Sequence, residues 1–418
     1  MDRFVIEGPT PLEGELKIGG AKNAVLPLMA AALLARAESV IDNVPDLQDV
    51  RFFMTILEGL GARCGLEGHR LHIDTTNLNS HEAHYDLVRK MRASIYVLGP
   101  LLASVGEARV SMPGGCAWGP RPVNLHLDGM AALGATIELD GGYILGRTNG
   151  RLTGGRFRFE PSSVGGTCNV LMAAVLADGK TVLENCAVEP EVTQLVQALS
   201  ASGALIEGVG TTTLRVTGVP EIGPISHRVM ADRIEAGTFM AGVALTGGRV
   251  TLVGVDSEHL NPVTSVLQDM GCEILPDGDL LTIEAAGRLR AVEVVTRPYP
   301  GFPTDMQAQV MAACCVAHGT SFITETIYTD RFTHVAELQR LGADIRLDGA
   351  RAAIFGVDRL QGAPVMATDL RASAALVIAG CAAVGTTVVN RVYHIDRGYE
   401  RIEERLAALG ARILREKT

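Results

Sequence analysis

The tripeptide Leu60-Gly61-Ala62 returns as Leu133-Gly134-Ala135, Leu341-Gly342-Ala343 and Leu409-Gly410-Ala411, with degenerate copies Ser202-Gly203-Ala204 and Met270-Gly271-Cys272. The six glycines stand about 70 residues apart, a period that fits one supersecondary unit per copy. Glycine can take the left-handed conformation that ends a helix, so each copy reads as a helix terminus. An amphipathic helix leads into it and strands follow. Earlier in each unit a polar start opens a helix rich in Ala, Leu and Met. These starts are Lys22-Asn23-Ala24, Arg92-Ala93-Ser94, Ser163-Val164-Gly165, Asp232-Arg233-Ile234, Asp305-Met306-Gln307 and Arg371-Ala372-Ser373. Each is expected to give about 12 to 15 helical residues. A β-branched strand then follows, such as Thr181-Val182-Leu183 or Val250-Thr251-Leu252.

Six such copies could form a solenoid, a closed ring or two three-copy domains. The first helices, as at 171–176 and 311–317, carry too little polar side chain to face water. They are expected inside, surrounded by sheets. That favours closed three-copy domains over a solenoid, which would need polar caps at its ends. The fold class is therefore α/β, with six repeated helix-plus-sheet units and buried parallel helices. Parallel helices would point their N-termini to one end of each domain, where free N–H groups favour anions. Two domains facing by those ends would make a cleft for phosphates lined by Lys22, Arg92, Asp305 and Arg371. The plainer reading is that these are capping and surface groups, but a cation at a helix N-terminus opposes the dipole and needs a reason.

Residues 112–122 read M-P-G-G-C-A-W-G-P-R-P. This density of Gly and Pro continues neither a helix nor a strand, so a surface loop is expected between a strand at 107–111 and a helix at 124–133. Cys116 with Arg121 nearby is either a reactive thiol or a small buried residue at a turn.

Bulk properties narrow the function. A net charge of -10 argues against broad nucleic-acid binding, though not against a small anionic substrate met by clustered cations. The eight cysteines form no CxxC and no zinc-ligand spacing, which suits free thiols in a reducing cytosol. The start M-D-R-F-V-I-E-G has no basic segment followed by an apolar run, so no signal peptide is expected. The longest apolar stretch, 372–389, is broken by Gly380 and Gly385 and reads as a buried helix followed by a strand.

Several stretches together carry a specific resemblance. They are G-G-A-K-N-A from Gly19, R-A-S-I-Y-V-L-G-P from Arg92 and P-G-G-C-A-W-G-P-R-P from Pro113. Further on come F-P-T-D-M-Q-A-Q from Phe302, A-T-D-L-R-A-S from Ala367 and Y-H-I-D-R-G-Y-E-R-I from Tyr393. Over essentially its whole length the chain resembles the UDP-N-acetylglucosamine 1-carboxyvinyltransferases, a family of enolpyruvyl transferases. The resemblance implies a two-domain inside-out α/β barrel of that type. Its domains would be 22–228 and 1–21 plus 229–418, with the active site in the cleft between them.

It also implies the reaction. The enolpyruvyl group of phosphoenolpyruvate moves to the 3-hydroxyl of UDP-N-acetylglucosamine, phosphate leaves, and peptidoglycan synthesis begins. By the same resemblance Cys116 is the general acid, able also to form a covalent 2-(S-cysteinyl)pyruvic acid O-phosphothioketal. Asp305 is the base, and Lys22, Arg121 and Arg397 hold phosphoenolpyruvate. Asp369, which assists proton transfer, and Arg371 lie in a matching stretch. The nucleotide sugar is assigned Asn23, Arg92, Ser163, Val164, Gly165, Thr304 and Ile327, while Pro122, Val123, Asn124, Leu125, His126 and Arg331 match further substrate-binding positions of the cleft. Glu189 and Glu191 are read as structural or loop-hinge residues. No cofactor and no metal are implied. The partners are the two small-molecule substrates, with no nucleic acid and no membrane, in a bacterial cytoplasm, and a weak homo-oligomer is compatible with this. The loop glycines suit a lid that closes over the substrates, with Trp118 as its reporter.

Two positions depart from the pattern. Trp118 replaces a smaller aliphatic residue, and Glu160-Pro161-Ser162 lacks the lysine that some members carry before Ser163. The competing readings are the shikimate-pathway enolpyruvyl transferase, which lacks the Cys-bearing G-G-C-A loop, and a silent nucleotide-sugar-binding paralogue.

Overall fold

Residues 2–85, 91–112 and 123–417 are described by a computed structural model, except for the side chain of Arg92. Cys116, Trp118, Arg121 and Pro122 therefore lie outside the described residues.

All six repeat glycines have positive φ, from 87° at Gly134 to 106° at Gly203. At each, the glycine N–H bonds the carbonyl three residues back and the next N–H bonds the carbonyl five back. Gly61 N donates to Glu58 O and Ala62 N to Leu57 O, both at 3.0 Å. This double closure satisfies carbonyls that a helix end would leave bare. The residue after the glycine is small and buried in every copy: Ala62, Ala135, Ala204, Cys272, Ala343 and Ala411.

The described residues form six four-stranded sheets on one plan. An edge strand runs parallel to its neighbour, and the rest of the sheet is antiparallel. In one, Arg156–Arg158 pairs in parallel with Lys180–Glu184, which pairs antiparallel with Thr213–Thr217, which pairs with Leu205–Glu207. Burial alternates along Lys180–Glu184, as it does when one face covers a core and the other meets water.

The chain divides into two compact units, Gly20–Met230 and Met1–Gly19 with Ala231–Thr418. The core of the first holds the helices Lys22–Ala31, Leu98–Ser104 and Val164–Val175, the last buried from Gly166 to Val175. The core of the second holds Arg233–Thr246, Gln307–Cys314 and Leu370–Ala382, which pack on one another pairwise. Leu98–Ser104 and Gln307–Cys314 are shorter than the expected length because the tight turns Arg92–Val97 and Thr304–Met306 take up their starts. The apolar stretch at 372–389 is a buried helix followed by the strand Gly385–Asn390, and no helix among the described residues is long and apolar enough to cross a membrane.

Each unit closes on itself. In the first, Ser226–Arg228 returns to pair in parallel with Glu38–Asp42. In the second, Leu12–Lys17 pairs with Gly248–Val253, and Arg3–Gly8 lies between Gly385–Asn390 and Arg412–Glu416. Closure covers the apolar helices on every side, so no polar end-cap is needed.

The glycines differ in what surrounds them. A Cβ at Gly203 would meet nothing within 4 Å, whereas one at Gly61 would stand 2.8 Å from Asn79 N and 2.9 Å from Asn77 O. Gly203→Ala should cost about 1 to 2 kcal/mol, the strain of a left-handed alanine. Gly61→Ala should cost clearly more, because backbone must also move. Thermal unfolding of the two variants checks this, and equal midpoints would contradict it.

Candidate functional site

In the unit Gly20–Met230, several candidates stand at helix starts. Lys22 is the first residue of its helix, where the dipole opposes a cation. Its Nζ lies 3.3 Å from Asp49 Oδ2, and the side chains are only 12% and 7% exposed. Asp49 sits in the first turn of Gln48–Gly59, a favourable place for an acid. The pair thus offsets an unfavourable charge with one that its own helix stabilises. Asn23 follows Lys22 in the same turn. Arg92 opens the turn Arg92–Val97. Ser163 caps Val164–Val175, its Oγ accepting from Gly166 N at 3.1 Å.

Val123 precedes the helix Asn124–Ala132, which carries Asn124, Leu125 and His126. His126 is buried and packs on Gly165, where a Cβ would stand 3.2 Å from its Nε2. His126 Nδ1 lies 2.9 Å from Asn169 Nδ2. The starts at 124–126 and 163–165 are thus brought together. Glu189 and Glu191 stand at the cap and in the first turn of Pro190–Ala201, where acids suit the dipole.

In the unit Met1–Gly19 with Ala231–Thr418, the structure gathers two buried arginines around a partly exposed carboxylate, Asp305. Arg331 Nη1 donates to Asp305 Oδ1 at 2.8 Å and to Thr304 Oγ1 at 2.9 Å. Arg371 Nε lies 3.4 Å from Asp305 Oδ2. The two arginine side chains are 8% and 4% exposed. Burial opposes the charge on Arg371, but the Tyr399 oxygen and Asp305 outweigh it and hold the guanidinium charged. The Arg371 guanidinium also sits 5.3 Å from the Tyr399 ring centre. Asp369 caps Leu370–Ala382, its Oδ1 accepting from Arg371 N at 2.9 Å and Ala372 N at 3.1 Å. Burial raises the Asp369 carboxyl above its ordinary range, against the pull of the cap N–H groups and Arg331. Arg397 is half-buried, and its charge and that of Asp369 are both felt by His394, whose ring is kept neutral first by burial and then by Arg397.

Beneath this cluster is Glu325, fully buried. Its Oε1 accepts from Thr296 Oγ1 at 2.8 Å, Ile327 N at 2.8 Å and Tyr328 N at 3.0 Å. Its Oε2 accepts from Thr304 Oγ1 at 2.9 Å. One carboxylate therefore fixes both Thr304 and the turn that carries Ile327. Asp49, Glu325 and Asn169 do not stand out in the sequence reading. A polar Asn169 inside the apolar run Val164–Val175 is the one visible sign of the three. The described residues hold no group of three His, Cys, Asp or Glu side chains that could bind a metal.

A family model described as EPSP synthase (3-phosphoshikimate 1-carboxyvinyltransferase) matches residues 6–406. The chain is 52% identical over 415 residues to a UDP-N-acetylglucosamine 1-carboxyvinyltransferase of Geotalea uraniireducens, covering 99% of each chain. Among solved structures it is similar to the enolpyruvyl transferase NikO from Streptomyces tendae. That match has a TM-score of 0.91 and 27% identity, over 100% of this chain and 99% of that one. EPSP synthase from Acinetobacter baumannii shares the fold at a TM-score of 0.76 and 17% identity over the full length of both chains.

The described thiols are poor nucleophiles. Burial pushes Cys64, Cys314 and Cys381 up to about 12 and Cys186 and Cys272 up to about 11, and it raises Cys168 and Cys315 further. Iodoacetamide at mildly alkaline pH should therefore leave these seven unmodified in the folded protein and label them after denaturation. Peptide mass spectrometry reads the result. Native labelling of Cys314 or Cys315 would contradict their burial.

Proposed function

We propose, from the premise that the chain belongs to the UDP-N-acetylglucosamine 1-carboxyvinyltransferases within the enolpyruvyl transferase family, that it transfers enolpyruvate from phosphoenolpyruvate to the 3-hydroxyl of UDP-N-acetylglucosamine. The observation behind this reading is the 52% identity along 99% of the chain. The shikimate enzyme, in contrast, shares only 17% identity with this chain in its solved form, a likeness of fold alone. The product would enter peptidoglycan synthesis in a bacterial cytoplasm.

In the first step the sugar 3-oxygen bonds to C2 of phosphoenolpyruvate while its methylene carbon takes a proton and becomes a methyl group. The resulting tetrahedral carbon carries the sugar oxygen, the carboxylate and the phosphate. In the second step the methyl group loses a proton, the C2–O bond to phosphate breaks and the enol ether forms. Each step needs an acid and a base, as well as cations for the phosphate and carboxylate. Cys116 is the proton donor in this proposal and Asp305 the acceptor of the hydroxyl proton. Lys22, Arg121 and Arg397 hold phosphoenolpyruvate. The raised Asp369 carboxyl is suited to share a proton in the elimination. Asn23, Arg92, Pro122, Val123, Asn124, Leu125, His126, Ser163, Val164, Gly165, Thr304, Ile327, Arg331 and Arg371 serve the nucleotide sugar or the groups that hold it.

Support comes from chemistry already in place around Asp305. Arg331 and Arg371 compensate its charge and fix both of its oxygens, so the carboxylate is oriented before substrate arrives. Lys22, partly buried beside Asp49, is a cation held at a helix start that favours anions. Cations near Cys116 would favour its thiolate, whereas a proton donor must be neutral. The negative charge of bound substrate offsets them and restores the thiol.

Phosphate release with phosphoenolpyruvate should require UDP-N-acetylglucosamine and should not occur with 3-phosphoshikimate. Cys116→Ser should lower kcat by about 100-fold or more, the scale of a lost general acid. An unchanged rate would remove Cys116 from the reaction. Glu325→Gln puts an N–H2 group among four donors and should loosen Thr304 and Ile327. About a tenfold rise in KM for UDP-N-acetylglucosamine, with kcat nearly constant, is the expected readout in steady-state assays.

A further inference from the structure

Asn169 lies in the middle of the buried helix Val164–Val175 and is 0% exposed. A lone amide in an apolar core costs stability unless each of its groups is paired, and here they are. Asn169 Oδ1 accepts from Gly99 N at 2.7 Å, and Nδ2 donates to Ile95 O at 2.8 Å. These two backbone partners settle which way the amide points, because flipping it would set N–H2 against N–H and oxygen against oxygen. The second hydrogen of Nδ2 is then directed at His126 Nδ1, 2.9 Å away.

A donor facing Nδ1 requires a lone pair there. The ring's single proton must therefore sit on Nε2. Nε2 lies against the first turn of Val164–Val175, beside Gly165. Gly99 is part of the same device. A Cβ there would stand 2.3 Å from Asn169 O and 2.6 Å from Asn169 Oδ1, so only glycine admits the amide.

We infer that Asn169 is a positioning residue that locks His126 in its Nε2–H tautomer, so that His126 meets the nucleotide sugar as an N–H donor. The inference rests on the assignment of His126 to that substrate. A nucleoside diphosphate sugar offers mainly acceptors, the phosphate and uracil carbonyl oxygens, so the Nε2–H form is the tautomer that matches them. The lock spans four elements: the turn Arg92–Val97, the helix Leu98–Ser104, the helix Asn124–Ala132 and the helix Val164–Val175. The tautomer is therefore set by the packing of the unit rather than by the ligand.

Two measurements test this. In protein labelled with 15N-histidine, long-range proton–nitrogen correlation should show His126 with a bare Nδ1 and a protonated Nε2 in the free enzyme. The signal is assigned by its loss in His126→Phe. The opposite tautomer, or an average of the two, overturns the inference without any change at Asn169. In kinetics, Asn169→Leu should raise KM for UDP-N-acetylglucosamine about tenfold, leave kcat within about threefold and spare KM for phosphoenolpyruvate. His126→Phe should do at least as much, and the double variant should be no worse than His126→Phe. Additive losses in a protein that turns over normally overturn the role of Asn169 alone. A wild type that releases no phosphate from this substrate pair overturns the functional reading, and this role with it.

Discussion

Each repeat turns on one backbone constraint, a residue at φ between 87° and 106° after its second helix. Only glycine holds that conformation without strain, and it lets two N–H groups fold back onto the last carbonyls. The helix then stops abruptly and the chain reverses into a strand. Because the reversal is the same six times, the strand that follows each glycine takes the same outer place in its sheet. Three sheets can then enclose three helices that carry almost no polar side chain. The apolar helices supply the burial, and the glycine caps make the enclosing geometry repeatable.

Enclosure leaves the helix starts as the places where polar groups collect. Lys22 and Arg371 both stand where a helix dipole disfavours a cation, and each is placed against a carboxylate, Asp49 or Asp305. A charge with so little exposure is tolerable only when paired, and the pairing fixes its position. Preorganised cations of this kind suit a reaction whose substrates carry phosphate and carboxylate groups and whose intermediate carries them on one carbon.

The sequence made the repeat, the helix starts and the buried apolar helices legible, because these depend on neighbours within a few residues. The L-G-A copies mark caps because a cap is local. Helix lengths were less so, since the turns Arg92–Val97 and Thr304–Met306 replace α-helix at two starts. The partners that hold the candidate residues were not visible. Asp49 is 27 residues from Lys22, and Asn169 is 43 from His126. Glu325 binds Thr304 from 21 residues away and looks in sequence like one more acid beyond a strand. Such pairs exist only once the repeats stack, so no window of sequence contains their cause.

The strand Arg3–Gly8 lies between two strands drawn from 385–416, almost the whole length of the chain away. On the ribosome, this segment emerges long before either of its partners. The unit Gly20–Met230 is continuous and has all its strands once residue 230 has been made. Its neighbour in the chain must instead wait until residue 416 has been made, with Arg3–Gly8 lacking its sheet partners until then. Vectorial synthesis thus imposes an order on two halves that the repeat makes alike. The later half also carries the longer exposure of an unpaired strand edge, the usual opening for aggregation.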